Sequence, residues 1–191
     1  MSGFFGVVSK NDCVMDLFFG IDYHSHLGTR RGGMTVYGEN GFQRSIHNIE
    51  NSPFRTKFER DVEEFKGTSG IGCISDNEAQ PLLVHSHLGS FAISTVGRVN
   101  NIDELIEECF KAGKVQFMET SKGKLNQTEI IAAMINLKDN VIDGIKYMQE
   151  RVKGSMSILL LFPNKIYAAR DKYGRTPIIL GKKKGSMCAT F

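Results

Sequence analysis

The sequence predicts a layered α+β domain, with two sheets face to face and helices outside them. Short runs rich in aromatic and β-branched residues gather at both ends of the chain, and helical periodicity dominates the stretch between them. The length of 191 residues is enough to bury about 70% of the surface the unfolded chain exposes, so one domain over residues 1–191 needs no covalent staple.

Residues 3–8 read as a buried strand in which Gly6 leaves room for a close backbone approach. From Asp12 the apolar positions Val14, Leu17, Phe18, Ile21 and Leu27 return at helical spacing, and Gly28 is the expected stop. Residues 34–37 and 44–49 are expected to form a hairpin about Glu39-Asn40-Gly41, because Asn-Gly accepts the positive φ of a tight turn. A helix from about Pro53 to Phe65 follows, then short strands at 70–75, 82–84 and 90–96. Asn101, Asn126 and Asn140 each precede an apolar stripe of helical period and are assigned as N-caps, the second with Glu129 at capping-box spacing. Strands near 155–162, 165–169 and 177–181 come last, joined by Pro163-Asn164 and by Asp171-Lys172-Tyr173-Gly174-Arg175, and a further strand starts at Met187.

Composition removes several classes of function. A net charge of +3 is small for this length, and the basic clusters Thr29-Arg30-Arg31-Gly32-Gly33 and Lys182-Lys183-Lys184 lack interleaved aromatics, so nucleic acid is not an expected partner. Both clusters are assigned to turns, one of them a solvated hairpin tip. The longest apolar run, Ser157 to Phe162, falls far short of the roughly 20 residues of a bilayer crossing, so no membrane partner is expected. Cys13, Cys73, Cys109 and Cys188 are scattered without paired spacing and no signal-peptide succession occurs, which points to a reducing, cytoplasmic setting. Of these, Cys13, Cys73 and Cys109 are expected to be buried small hydrophobes. The repeated His-Ser-His, at His24/His26 and His85/His87, offers four imidazoles, but His24 and His26 fall at the expected helix end, where positions i and i+2 diverge. No metal site is assigned.

The start, Met1-Ser2-Gly3-Phe4-Phe5-Gly6, carries chemistry of its own. Removal of Met1 would leave Ser2 as a hydroxyl nucleophile whose own α-amine, with an ordinary pKa of about 7.7–8.0, takes the proton. The plain alternative is a small second residue that only permits initiator removal.

Several segments, read in order, resemble the class II glutamine amidotransferases, a branch of the N-terminal-nucleophile hydrolases, and in particular their amidophosphoribosyltransferase members. Ser2-Gly3-Phe4-Phe5-Gly6 stands where the family has Cys-Gly-x-x-Gly, and His26-Leu27-Gly28 where it has His-Arg-Gly. Gly70-Ile71-Gly72, Gln80-Pro81 and Gly97 followed by Asn101 to Leu105 continue the match, and Ala169 to Gly181 is its most specific piece. The resemblance covers nearly the whole chain. It implies a four-layer αββα sandwich of two antiparallel sheets.

The same resemblance places substitutions on the atoms that touch glutamine. Ser2 occupies the nucleophile position, where a hydroxyl is a far poorer nucleophile at neutral pH than a thiol. Cys73 occupies the position of an Arg that clamps the substrate carboxylate. Val96 replaces the Asn that donates to the oxyanion, although the neighbouring Gly97 backbone is kept, and losing one such donor typically costs about 10²–10³ in rate. Gln127 replaces an amine-binding Asp, and Leu27 and Arg31 replace polar residues of the segment around His26. Arg30, Arg31 or Arg98 remains open as a substitute clamp, with Arg98 next to the oxyanion glycine. The expected site is therefore Ser2, Gly97 and Val96 at the catalytic positions, with Cys73, Gln127, Arg98 and His26 for substrate.

The resemblance further implies a role in purine biosynthesis within a longer parent chain whose phosphoribosyltransferase domain these residues do not contain, with the amidotransferase-like domain truncated at its C-terminus. Glutamine or another small metabolite is the implied ligand, no cofactor is implied in this domain, and assembly as a homo-oligomer is a further expectation. Loss of glutaminase activity is expected. The alternative is a non-catalytic pseudoenzyme module that keeps the fold to bind a partner domain or a small metabolite.

Overall fold

The computed structural model describes residues 2–191 except 114, 119, 122 and 164, with no side-chain description at 120 and 121. Met1, and Asn164 of the expected Pro163-Asn164 turn, lie outside the described residues. In chain order the strands are β1 (Ser2–Ser9), β2 (Arg31–Gly38), β3 (Gly41–Asn48), β4 (Ser69–Ser75), β5 (Leu82–Ser86), β6 (Gly89–Val99), the two-residue pair β7 (Thr120–Ser121) and β8 (Lys124–Leu125), then β9 (Gly154–Phe162), β10 (Lys165–Arg170), β11 (Ile179–Lys183) and β12 (Ser186–Thr190). The helices are α1 (Val14–Tyr23), α2 (Phe54–Glu64), α3 (Ile102–Ala112), α4 (Gln127–Ile135) and α5 (Val141–Arg151).

Six strands in the order β11-β12-β1-β4-β2-β3 form one sheet and four in the order β10-β9-β6-β5 form the other, with every pairing antiparallel. Side chains alternate across each strand with period two, and that alternation sorts the core. Phe4, Ile71 and Cys73 from the first sheet meet Ala92, Val96, Leu159 and Leu161 from the second, filling the gap between the sheets. The opposite face of the first sheet takes α1 and α2 through Val7, Leu17, Ile21, Met34, Phe54 and Phe58. The outer face of the second sheet takes α3, α4 and α5 through Phe91, Ile93, Leu105, Ile131, Met148 and Leu160. The result is the αββα sandwich. Each fully buried side chain of the size of Phe4 or Leu159 contributes about 1.5–3 kcal/mol through removal from water.

Alternation of glycine with larger residues on β4 brings α1 close to the sheet. Ile71 and Cys73 point between the sheets, while Gly70 and Gly72 lie beneath the helix. A Cβ at Gly72 would stand 2.1 Å from the Ile21 side chain and 2.6 Å from the Gly33 carbonyl oxygen, so only hydrogen fits there. Asp171, in the loop after β10, anchors the far end of the second sheet. Burial opposes its ionisation, yet N–H groups of Tyr173, Met156, Arg175 and Thr176 outweigh burial and hold its carboxyl below the usual range.

The helices expected at 53–65 and after Asn101, Asn126 and Asn140 are present, and the Glu39-Asn40-Gly41 hairpin joins β2 to β3 with Gly41 at φ 76°. Four local expectations differ. Lys182 and Lys183, expected in a turn, lie in β11, and only Lys184 stands in the hairpin turn. The first helix stops at Tyr23, and a 3-10 turn at Ser25–Leu27 follows, because His24 turns inward to bond Thr190 Oγ1 at 2.7 Å. Arg31 to Gly33, expected in a turn, begin β2, where Gly33 lies hard against the Gln80 carbonyl. Asn126 and Asn140 cap their helices through side-chain oxygens, but Asn101 does not cap its own. Its amide instead donates to the Arg151 carbonyl and accepts from the Lys153 N–H, pinning the end of α5 to the start of α3. Cys13, Cys73 and Cys109 are buried as expected, and burial pushes the first two thiols up to about 12 and the third to about 11. No helix among the described residues is long and apolar enough to cross a membrane.

Gly72→Ala is expected to lower stability by about 1–3 kcal/mol in urea unfolding, since the new methyl must push α1 off the sheet. An unchanged midpoint would contradict the close approach.

Candidate functional site

A cleft of about 540 Å³ opens where the first residue of β1 meets the end of β6 and the N-terminus of α4. Its formation depends on Glu78, a carboxylate in the β4–β5 connection that is 9% exposed. Oε1 accepts from the Gln127 N–H at 2.5 Å, and Oε2 accepts from the Thr128 N–H at 3.1 Å and the Thr128 hydroxyl at 2.9 Å. The first N–H groups of a helix lack partners within it, and the helix dipole favours a negative charge there. Glu78 thus supplies, from 49 residues away, what Asn126 supplies locally. Thr128 Oγ1 also meets Thr95 Oγ1 at 2.6 Å, and the Gln80 amide brackets the Thr95 backbone, accepting its N–H at 2.7 Å and donating to its carbonyl at 3.2 Å. These contacts weld β6, α4 and the β4–β5 connection into the floor of the cleft.

Four of the seven residues expected at the site line this cleft: Ser2, Gly97, Arg98 and Gln127. Ser2 is the first residue of β1, half-buried and in register with Ser75 of β4. Gly97 takes φ 140°, and a Cβ there would stand 2.1 Å from the Ser155 carbonyl oxygen, so backbone rather than side chain faces the cleft. Arg98 is exposed at the rim. Gln127 Oε1 accepts from the Val99 N–H at 2.8 Å, which fixes the amide orientation and leaves its NH₂ as a donor.

The other three lie elsewhere. The Val96 side chain, 4% exposed, packs in the apolar layer between the sheets, and Cys73 sits in the same layer with its thiol pushed up to about 12 by burial. His26 is exposed beyond α1 with its ring edge against Tyr23. Of the three arginines open as clamps, Arg98 reaches the cleft, Arg30 pairs with Glu50 at 3.6 Å, and Arg31 begins β2. His85 bonds Ser90 and His87 the Lys138 carbonyl, and among the described residues no group of three or more metal-ligating side chains forms.

Sequence reasoning missed Glu78, Ser75 and Lys124, all of which line the cleft. The only signal for Glu78 was its place two residues before Gln80-Pro81, because a cap supplied from so far along the chain leaves no local pattern. Chemically the cleft offers a strand-end hydroxyl, backbone at Gly97 and two cations, Arg98 and Lys124, without carboxylate partners among the described residues. Among the described residues, no imidazole lines it.

His24 lies behind β1, with its ring against the Gly3 backbone and Nδ1 lacking a partner among the described residues. Burial, then the His26 charge, lower its pKa. The unfolded chain takes up this proton near pH 6.5 and the folded chain only at lower pH, so the unfolded state binds more protons in that window. Stability is expected to be fully present above about pH 6.5 and to fall as pH drops below it, with His24→Gln flattening that slope in urea titrations; an equal slope in the variant would contradict the assignment. Glu78→Ala is expected to cost about 1–3 kcal/mol and to speed hydrogen exchange most at the Gln127 amide, which loses its acceptor, while Thr128 keeps Asn126 Oδ1 for its N–H and Thr95 for its hydroxyl.

A model of the glutamine amidotransferase domain matches residues 69–190, from β4 to β12. The amidophosphoribosyltransferase of Methanocaldococcus jannaschii is 24% identical over 200 aligned residues, covering 98% of this chain and 41% of the relative. That of Drosophila melanogaster is 27% identical over 135 residues, covering 63% of this chain and 24% of the relative. The glutamine phosphoribosylpyrophosphate amidotransferase from B. subtilis, solved with ADP and GMP, superposes with a TM-score of 0.84 at 21% identity over 98% of this chain and 41% of its own. A glutamine aminotransferase class-II domain protein from Silicibacter pomeroyi gives a TM-score of 0.61 at 9% identity over 98% of this chain and 87% of its own. The chain thus spans well under half of the amidophosphoribosyltransferases it matches, and the superpositions establish the shared fold of two stacked sheets between helices. On the match from β4 to β12, the chain belongs to the glutamine amidotransferase domain family.

Proposed function

We propose that this chain is the N-terminal amidotransferase-like domain of an amidophosphoribosyltransferase-like protein of cytoplasmic purine biosynthesis, and that it no longer hydrolyses glutamine. The observation that carries the second half is the placement of Val96 and Cys73 in the dry layer between the sheets. At those two positions the family resemblance implies an oxyanion donor and a carboxylate clamp. A valine side chain donates nothing, and a thiol, neutral here with burial pushing it up to about 12, offers no positive charge to a carboxylate. Ser2 compounds the loss, since its hydroxyl is a weaker nucleophile than a thiol.

Retention of the architecture beside this loss supports a domain kept for its shape. Gly97, Gly70, Gly72 and the Asp171 loop all serve packing or backbone geometry. A second reading, a non-catalytic module that binds a small metabolite, is favoured by the cleft itself, which is open and polar although those two side chains lie between the sheets.

The test is ammonia release from L-glutamine by the purified chain, with Met1 removal checked by intact mass and Ser2→Ala run in parallel. Release at the Ser2→Ala background is expected. Release well above that background, from a folded chain lacking Met1, would make Ser2 a working nucleophile and refute the loss.

A further inference from the structure

The cleft holds hydrogen-bond acceptors that are already used and donors that are not. Both Glu78 oxygens are taken by the start of α4, Gln127 Oε1 by the Val99 N–H, and Gln80 Oε1 by the Thr95 N–H. Facing the same space are the Gln127 NH₂, the Ser2 hydroxyl, the Arg98 guanidinium and the Lys124 ammonium. Neither cation has a carboxylate within ion-pair distance among the described residues, whereas Arg30, Arg55, Lys111, Arg151, Lys153 and Lys183 each do. The one negative charge in the lining is thus neutralised from behind, and the two positive charges are left for a ligand.

We infer that this cleft binds a small dianionic metabolite without an ammonium group, a phosphate monoester or a dicarboxylate, held between Arg98 and Lys124 and oriented by the Gln127 NH₂. Two cations match two negative charges. A guanidinium forks onto a phosphate or carboxylate through two parallel N–H bonds, and the lysine adds a point charge. The fixed Gln127 amide turns donors toward the ligand, so an ammonium at that spot would meet N–H groups rather than an acceptor. The volume of about 540 Å³ lies within the range of about 300–1,000 Å³ usual for small-molecule sites. This inference rests on the loss of glutamine hydrolysis proposed above.

The test is calorimetric titration of the full chain with glycerol 3-phosphate and, separately, succinate, at about 20 mM and about 300 mM NaCl. One-to-one saturable binding of at least one probe is expected, weaker in the higher salt, and whichever probe binds tighter identifies the headgroup chemistry. Arg98→Gln and Lys124→Gln are each expected to weaken it by about tenfold or more, and the double variant to abolish it. Lys182→Gln/Lys184→Gln, at the distant β11–β12 hairpin, removes the same charge and is expected to bind like the parent. All four substitutions are on exposed side chains, and unfolding midpoints verify that each variant is folded. Silent titrations with both probes, or binding that survives the double variant, would overturn the site. Ammonia release from L-glutamine in the same preparations would overturn the proposed loss of hydrolysis, whereas silent titrations without ammonia release would overturn the anion site alone.

Discussion

Everything at the mouth of this sandwich depends on one buried carboxylate. Glu78 meets the first turn of α4 with both of its oxygens, and the Thr128 hydroxyl it holds reaches on to Thr95 in β6. That single arrangement closes a helix end, ties the connection after β4 to the second sheet, and sets where Gln127 stands. It also decides the electrostatics of the cleft. A carboxylate facing three donors is satisfied within the protein, so its charge stabilises the helix and is withdrawn from any ligand.

The second constraint is the dry layer between the sheets. Phe4, Ile71, Leu159 and Leu161 are fully buried there, and Val96 and Cys73 pack beside them. A small thiol and a branched aliphatic fill this space without the partners that buried polar groups would need. Glycines stand at 70, 72 and 97 because helix α1 and the backbone near Ser155 come too close for any side chain.

Much of the fold was legible because its signals are local. The short strand at 70–75, the Asn-Gly hairpin and the Asn126 and Asn140 caps each follow from signals within a few residues of what they determine. Errors came where a distant partner won. His24 breaks the first helix to reach Thr190, and Asn101 leaves its own helix to hold Lys153. The site divided in the same way. Ser2, Gly97, Arg98 and Gln127 could be placed from motif order, since each sits at the end of a strand or the start of a helix. Glu78 and Lys124 could not, because their roles depend on tertiary approach across tens of residues. Cys73 was expected to be a buried small hydrophobe, but only the packing partners of Cys73 and Val96 show that both side chains lie between the sheets.

The most direct measurement is a titration of the chain lacking Met1 with L-glutamine, followed through the backbone amide signals of Gly97 and Arg98. The proposed loss, with valine and a buried thiol at the Val96 and Cys73 positions and the Gln127 NH₂ turned toward any bound ammonium, predicts no saturable shift at either amide up to millimolar glutamine. Saturable shifts of both amides at a common midpoint would place glutamine in the cleft and contradict the account of a fold retained without its glutamine chemistry.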